Sequence, residues 1–199
     1  MFGFEFCFSR EFYWEEAKGA IIRDDILQLN HCIEENPWLL KELDEESNSL
    51  LHHAALYSAN SFCFLAEKMP EYLTQPNSLG RVPAHLAARG SYGLNYNSIK
   101  ALELIEKMAP ETFGMKDVSG FTPAHDAALI AVESVNYEGY IYREAFDYIA
   151  SKHPETLTIK DKNGDIPQDI LSNAYRNLAI IESRKLDKDS KQAADGREL

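Results

Sequence analysis

Apolar residues return at helical spacing in three separated stretches, 62–68, 98–108 and 142–152; in the second, Leu102, Ile105 and Met108 fall on one face. Pro70, Pro110 and Pro154 follow within two residues, and a residue before proline is steered out of the α region. Each stretch therefore predicts a helix closed by its proline. A second pattern is the small pair Ala54-Ala55, Ala87-Ala88 and Ala127-Ala128, which lets a helix pack closely on its neighbours. The beginning of the chain follows neither rule. Phe2, Phe4, Phe6 and Phe8 alternate with Gly3, Glu5 and Cys7, a period of two that predicts an extended segment with one aromatic face. Such a segment either shields the first helical unit or serves as a partner-binding or dimer contact.

The Ala pairs belong to longer matches. Ser47-Asn48-Ser49-Leu50-Leu51-His52-His53-Ala54-Ala55 aligns with Gly80-Arg81-Val82-Pro83-Ala84-His85-Leu86-Ala87-Ala88 and with Gly120-Phe121-Thr122-Pro123-Ala124-His125-Asp126-Ala127-Ala128. A fourth copy, Gly164-Asp165-Ile166-Pro167-Gln168-Asp169, places Asp169 where the others have His. Pro37, Pro70, Pro110 and Pro154 each precede that His or Asp by 15 residues, so two separate markers keep one offset through four copies. The chain is a repeat. Asp117-x-x-Gly120, Asp161-x-x-Gly164 and Asn77-x-x-Gly80 are turn sequences, in which an Asx side chain satisfies the turn and Gly accepts positive φ. Pro83, Pro123 and Pro167 then fall at the first helical position, where a missing N–H is harmless. Each unit reads turn, helix, helix, and is too small to hold a core without its neighbours.

These residues resemble the ankyrin repeats. The hallmark Gly-x-Thr-Pro-Leu-His-x-Ala-Ala is matched by Gly120, Thr122, Pro123, His125, Ala127 and Ala128, and by Gly80, Pro83, His85, Ala87 and Ala88, whereas the first full unit keeps only Ser49, Leu51, His52, Ala54 and Ala55. The resemblance implies an all-α solenoid of stacked helix-turn-helix units with turn or β-hairpin tips. It has three full repeats (44–75, 76–115 and 116–159) between degenerate caps at 15–43 and 160–186. Residues 1–14 form the aromatic segment, and 187–199 read as a polar, disordered tail.

Two units exceed the ~33 residues expected of this repeat. The additions lie between the Ala pair and the closing proline, away from the turns. Residues 90–97 read as loop, with Asn97 or Ser98 as the next N-cap; residues 129–134 prolong a first helix that breaks near 136–139. Both insertions are tyrosine-rich (Tyr92, Tyr96, Tyr137, Tyr140 and Tyr142), a residue suited to interfaces and equally to a private satellite core.

Net charge changes the list of partners. At −12 over 199 residues the chain repels phosphate backbones and anionic membranes, so nucleic acid and membrane are not expected partners. Its start lacks the basic, then apolar, profile of a secretory signal. Three cysteines, Cys7, Cys32 and Cys63, have no metal-ligand spacing and fit a reducing compartment. Equivalent histidines in stacked units lie ~10 Å apart, too far to share one zinc, and neither His52-His53 nor His125-Asp126 makes a convincing acid–base pair. The glycines fall one per turn, and no phosphate-binding loop is present. No cofactor, metal or catalytic activity is expected.

The resemblance implies a protein-binding surface on the turn tips and first helices. Carried over residue by residue, the tip positions are Glu45, Glu46, Asn48, Ser78, Leu79, Arg81, Val118, Ser119, Phe121, Lys162, Asn163 and Asp165. The helix positions are Leu56, Tyr57, Arg89, Leu129 and Ile130. Tyr57, Leu79, Arg81 and Phe121 are anchor types, and the insertion tyrosines add a second edge. The expectation is a monomer or weak homodimer that binds one protein. Irregular, aromatic-rich units also resemble ankyrin proteins that intracellular bacteria deliver into host cytosol. An immunity-type inhibitor of a cognate enzyme and a self-assembling structural protein are the competing readings.

Overall fold

Each recurring proline ends one helix and opens a short 3-10 turn. In the computed structural model, which describes residues 9–90, 98–138 and 143–195, these turns are Pro37–Lys41, Pro70–Leu73, Pro110–Gly114 and Pro154–Thr158. The residues just before them, Asn36, Met69, Ala109 and His153, leave the α region with φ between −128° and −153°, the steric effect expected of a following proline. The described part is all-helical, with no strand among the described residues.

Nine α-helices are described: α1 (Arg10–Ile22), α2 (Ile26–Glu35), α3 (Leu50–Tyr57), α4 (Ala59–Lys68), α5 (Pro83–Arg89), α6 (Ser98–Met108), α7 (Pro123–Glu138), α8 (Glu144–Lys152) and α9 (Pro167–Asp195). Odd-numbered helices pack in chain order, α1 on α3, α3 on α5, α5 on α7 and α7 on α9; α2, α4, α6 and α8 form a second row, and each pair from α1–α2 to α7–α8 is also in contact. The Ala pairs of α3, α5 and α7 are buried where the odd helices approach, while Phe62, Leu65, Leu102, Ile105, Phe113 and Ile149 fill the space between the rows. No helix among the described residues is long and apolar enough to cross a membrane.

Two ends depart from the sequence expectation. The helix of the first unit begins at Arg10 rather than at 15, because Ser9 caps it by accepting the Phe12 N–H at 3.2 Å. The tail expected to be disordered from 187 is helical to Asp195, as part of the 29-residue α9. Polarity misled that reading: from Gln168 to Asp195 there is neither Pro nor Gly, and Lys, Gln and Ala are good helix formers. The aromatic positions Phe2, Phe4, Phe6 and Phe8 lie outside the described residues.

Four equivalent turns join the units. Asp44, Asn77, Asp117 and Asp161 each donate their backbone N–H to the carbonyl four residues on (Asn48, Arg81, Phe121 and Asp165) at 2.8–3.0 Å. Each Oδ1 accepts two N–H groups, those two and four residues on, at 2.7–3.0 Å. Gly80, Gly120 and Gly164 take φ of +75°, +83° and +92°; the first turn has Ser47 there, at +62°. Turns also bond to turns: Ser78 N–H donates to Glu46 O at 2.8 Å, Val118 to Leu79 at 2.9 Å and Lys162 to Ser119 at 3.0 Å. A Cβ on Gly120 would stand 2.9 Å from Lys162 N, whereas one on Gly164 meets nothing within 4 Å. Gly164→Ala is thus expected to cost about 1 kcal/mol, the left-handed penalty alone, and Gly120→Ala about 2 kcal/mol or more. Thermal melts of the two variants check this; a Gly164→Ala variant that melts below Gly120→Ala would refute the turn-to-turn account.

Candidate functional site

The histidines are joints. His52 Nδ1 accepts from the Ser49 backbone N–H at 3.2 Å, His85 Nδ1 from Val82 at 3.3 Å and His125 Nδ1 from Thr122 at 3.1 Å. A backbone N–H can only donate, so Nδ1 is bare and Nε2 carries the proton. Nε2–H then donates to the next turn: His52 to Arg81 O at 3.2 Å, His85 to Phe121 O at 3.0 Å and His125 to Asp165 O at 3.2 Å. Both ring nitrogens are consumed, leaving no lone pair for a metal or a substrate proton. Burial holds all three below the ordinary imidazole range, His52 at about 4. Asp169 keeps the local half of the joint, accepting the Ile166 N–H at 3.2 Å. It lies in the first turn of α9, and no further turn follows that helix among the described residues. Pro83, Pro123 and Pro167 occupy the first positions of α5, α7 and α9, as their sequence context predicts.

Beside the first of these joints, His52, lies a groove of about 420 Å³ whose wall includes Leu56, Tyr57, Leu79, Arg81, Leu86 and Arg89. Tyr57, Leu79 and Val118 are 48%, 43% and 51% exposed, large apolar side chains held on rigid tips and a first helix. The other expected contacts divide. Glu45, Glu46, Ser78, Ser119, Lys162, Asn163 and Asp165 are exposed on the tips, and Leu56 and Leu129 are half-buried. Phe121 is half-buried too, stacked on His125 at 5.3 Å, so its ring braces a joint. Asn48 is buried and bonds Asn77 of the next turn at 2.8 Å. Ile130 is 2% exposed and is not a surface contact, because α7 is packed by α5 on one side and α9 on the other. Tyr92, Tyr96, Tyr140 and Tyr142 lie outside the described residues, as does the side chain of Tyr137 in α7.

Arg81 and Arg89, expected to reach outward, are committed inward. Arg81 Nε donates to Asp117 Oδ2 at 3.1 Å, and Arg89 binds Asp126 Oδ1 at 3.2 Å and Glu133 at 3.5 Å, with Arg81 Nη2 also 3.9 Å from Asp126. Asp126 is fully buried, and its Oδ2 has no hydrogen-bond partner among the described residues. Burial raises its carboxyl pKa, opposed by His85, Arg81 and Arg89. The sequence pairs Asp126 with its neighbour His125; the fold turns it to the previous unit. The one sequence signal was the acid itself, at a position that is Leu86 one copy earlier.

Cys32 is buried and Cys63 half-buried, and burial pushes both thiols up, away from a reactive thiolate. Among the described residues no group of three His, Cys, Asp or Glu is placed to hold a metal ion. No family model and no curated protein matches this chain.

Proposed function

We propose that the chain is an ankyrin-type stack whose task is to hold one protein partner against the face made by its turn tips and first helices. The observation that carries this reading is the set of exposed Tyr57, Leu79 and Val118, large apolar side chains contributed by three successive units, Tyr57 from the end of a first helix and Leu79 and Val118 from neighbouring turn tips. Large exposed apolar side chains beside a groove are what protein contacts use as anchors. The repeated His-to-carbonyl joints and turn-to-turn bonds favour the ankyrin reading, since they give every unit the same neighbour relation.

The test is affinity capture with wild type and Tyr57→Ala/Leu79→Ala/Val118→Ala, chosen over Phe121→Ala because that ring braces His125. All three side chains are about half exposed, so the triple variant should melt within a few degrees of wild type. Partner recovery is expected to fall about tenfold or more, the loss of 1–2 kcal/mol that anchor truncation brings. Recovery equal to wild type would remove this face as the binding surface.

A further inference from the structure

Beside the groove just described lies a second one of about 590 Å³, and the two share Asp44 and Glu46 in their walls. The second groove is lined by Glu11, Glu15, Glu42, Asp44, Glu45 and Glu46 against only Arg10 and Lys18. Both cations are already held: Arg10 lies 3.8 Å from Glu42 and over the Trp38 ring, and Lys18 is 2.9 Å from Glu15. Among the described residues no cation pairs with Glu11, Glu45 or Glu46. In the first groove Arg81 and Arg89 are matched by Asp117, Asp126 and Glu133 behind them. Asp44 accepts from two backbone N–H groups and His53, which hold its carboxyl below the ordinary range and keep it charged. The joined trough is thus acidic, and apolar Leu43, Tyr57 and Leu79 stand along it 42–48% exposed.

We propose that this trough receives an extended, basic segment of the partner protein, with Lys or Arg side chains opposite Glu11, Glu45 and Glu46 and aliphatic or aromatic side chains over Leu43, Tyr57 and Leu79. The inference rests on the protein-binding reading and adds the chemistry of the partner. The charge argument is direct. A carboxylate pair opposite a bound cation gains Coulomb energy that a neutral segment does not, and an acidic segment meets several uncompensated like charges. A segment that carries both cationic and apolar side chains suits the site because the acidic and apolar residues share the same two linings, Leu43 with Glu11, Glu45 and Glu46, and Tyr57 and Leu79 with Asp44 and Glu46. The net charge of −12 adds long-range steering of the same sign.

The probe is a fluorescein-labelled peptide of roughly twelve residues alternating Lys or Arg with Leu or Tyr, and its analogue with Glu for each cation; anisotropy reads binding to the full chain at about 50 mM salt, where exposed charges are weakly screened. The basic peptide should bind about tenfold or more tighter than the acidic one, and the gap should shrink near 0.5 M salt. Glu45→Lys/Glu46→Lys should weaken the basic peptide about tenfold, while Glu103→Lys/Glu111→Lys, the same charge change on exposed positions of α6 and the following turn, should weaken it less than about threefold. Should the first pair fail to fold, Glu11→Lys/Glu45→Lys carries the same expectation. Equal loss with both reversals, equal affinity for the acidic peptide, or no binding of the basic one overturns the proposal. Those outcomes leave the protein-binding reading intact if Tyr57→Ala/Leu79→Ala/Val118→Ala still loses its captured partner.

Discussion

Arg89→Ala is expected to destabilise the protein by about 3 kcal/mol, far more than its surface position on α5 would indicate. The reason lies one unit away. Asp126 is fully buried, its Oδ1 bound to Arg89 at 3.2 Å and its Oδ2 without a partner among the described residues. Removing the guanidinium leaves a buried carboxylate whose remaining ion-pair partner among the described residues is Arg81, at 3.9 Å and already shared with Asp117. Breaking one side of a buried pair costs roughly 3–5 kcal/mol; the lower end applies because Arg89 keeps about a quarter of its side chain in solvent. The pair itself is a poor source of stability, since burial already disfavours the charged carboxyl. Arg89→Ala/Asp126→Leu is therefore expected to recover most of the loss, Leu being the residue that position carries in the preceding copy. Urea unfolding of the two variants measures both. A single variant within about 1 kcal/mol of wild type, or a double variant no better than the single, would show that the charge is not confined as described.

The contrast between that ion pair and the helices shows what a sequence of this kind makes legible. Apolar residues at helical spacing, closed by a proline, placed the second helices well: α6 runs over the predicted Ser98–Met108, and α8 starts two residues inside the predicted stretch. Those features are local, set by steric exclusion before proline and by an Asx side chain closing its own turn. The first turn was harder to see because Ser47, not Gly, takes φ of +62°, its Asp44 bonding as its later counterparts do. Illegible altogether was the Arg89–Asp126 contact, 37 residues apart with no local pattern. The surface was half legible. Tyr57 and Leu79 are exposed as expected, while Ile130 and Asn48 are buried, one by flanking helices and the other by a turn-to-turn bond. Positions carried over from a resemblance mark where a side chain starts, and packing decides whether it reaches solvent.

Acidification should dismantle the stack between pH 6.5 and about 4, with His52 as the largest single cause. Its folded value of about 4 lies below the ordinary 6.5, so the unfolded chain binds the proton more readily and stability falls as pH falls through that window. A displacement of this size is worth on the order of 3 kcal/mol for His52 alone. His85, His125 and His53 are displaced in the same direction by burial and add to the slope. The chemical step is the same at each joint: protonating Nδ1 removes the acceptor that the backbone N–H of Ser49, Val82 or Thr122 requires. Asp44 and Asp117, held low by their turns, contribute only below about pH 4 as they finally protonate. Asp126 acts oppositely, since its raised value means that the folded state gains from protonation as pH drops. Four histidines titrate against this one carboxyl, and the wild-type curve reads their balance. Urea unfolding at pH 7, 6, 5 and 4.5 is expected to show a steady loss in the wild type, and His52→Asn should be less stable at pH 7 yet lose less on acidification. Stability unchanged from pH 7 to 5, or a His52→Asn curve parallel to wild type, would mean that the buried imidazoles are not what joins one unit to the next.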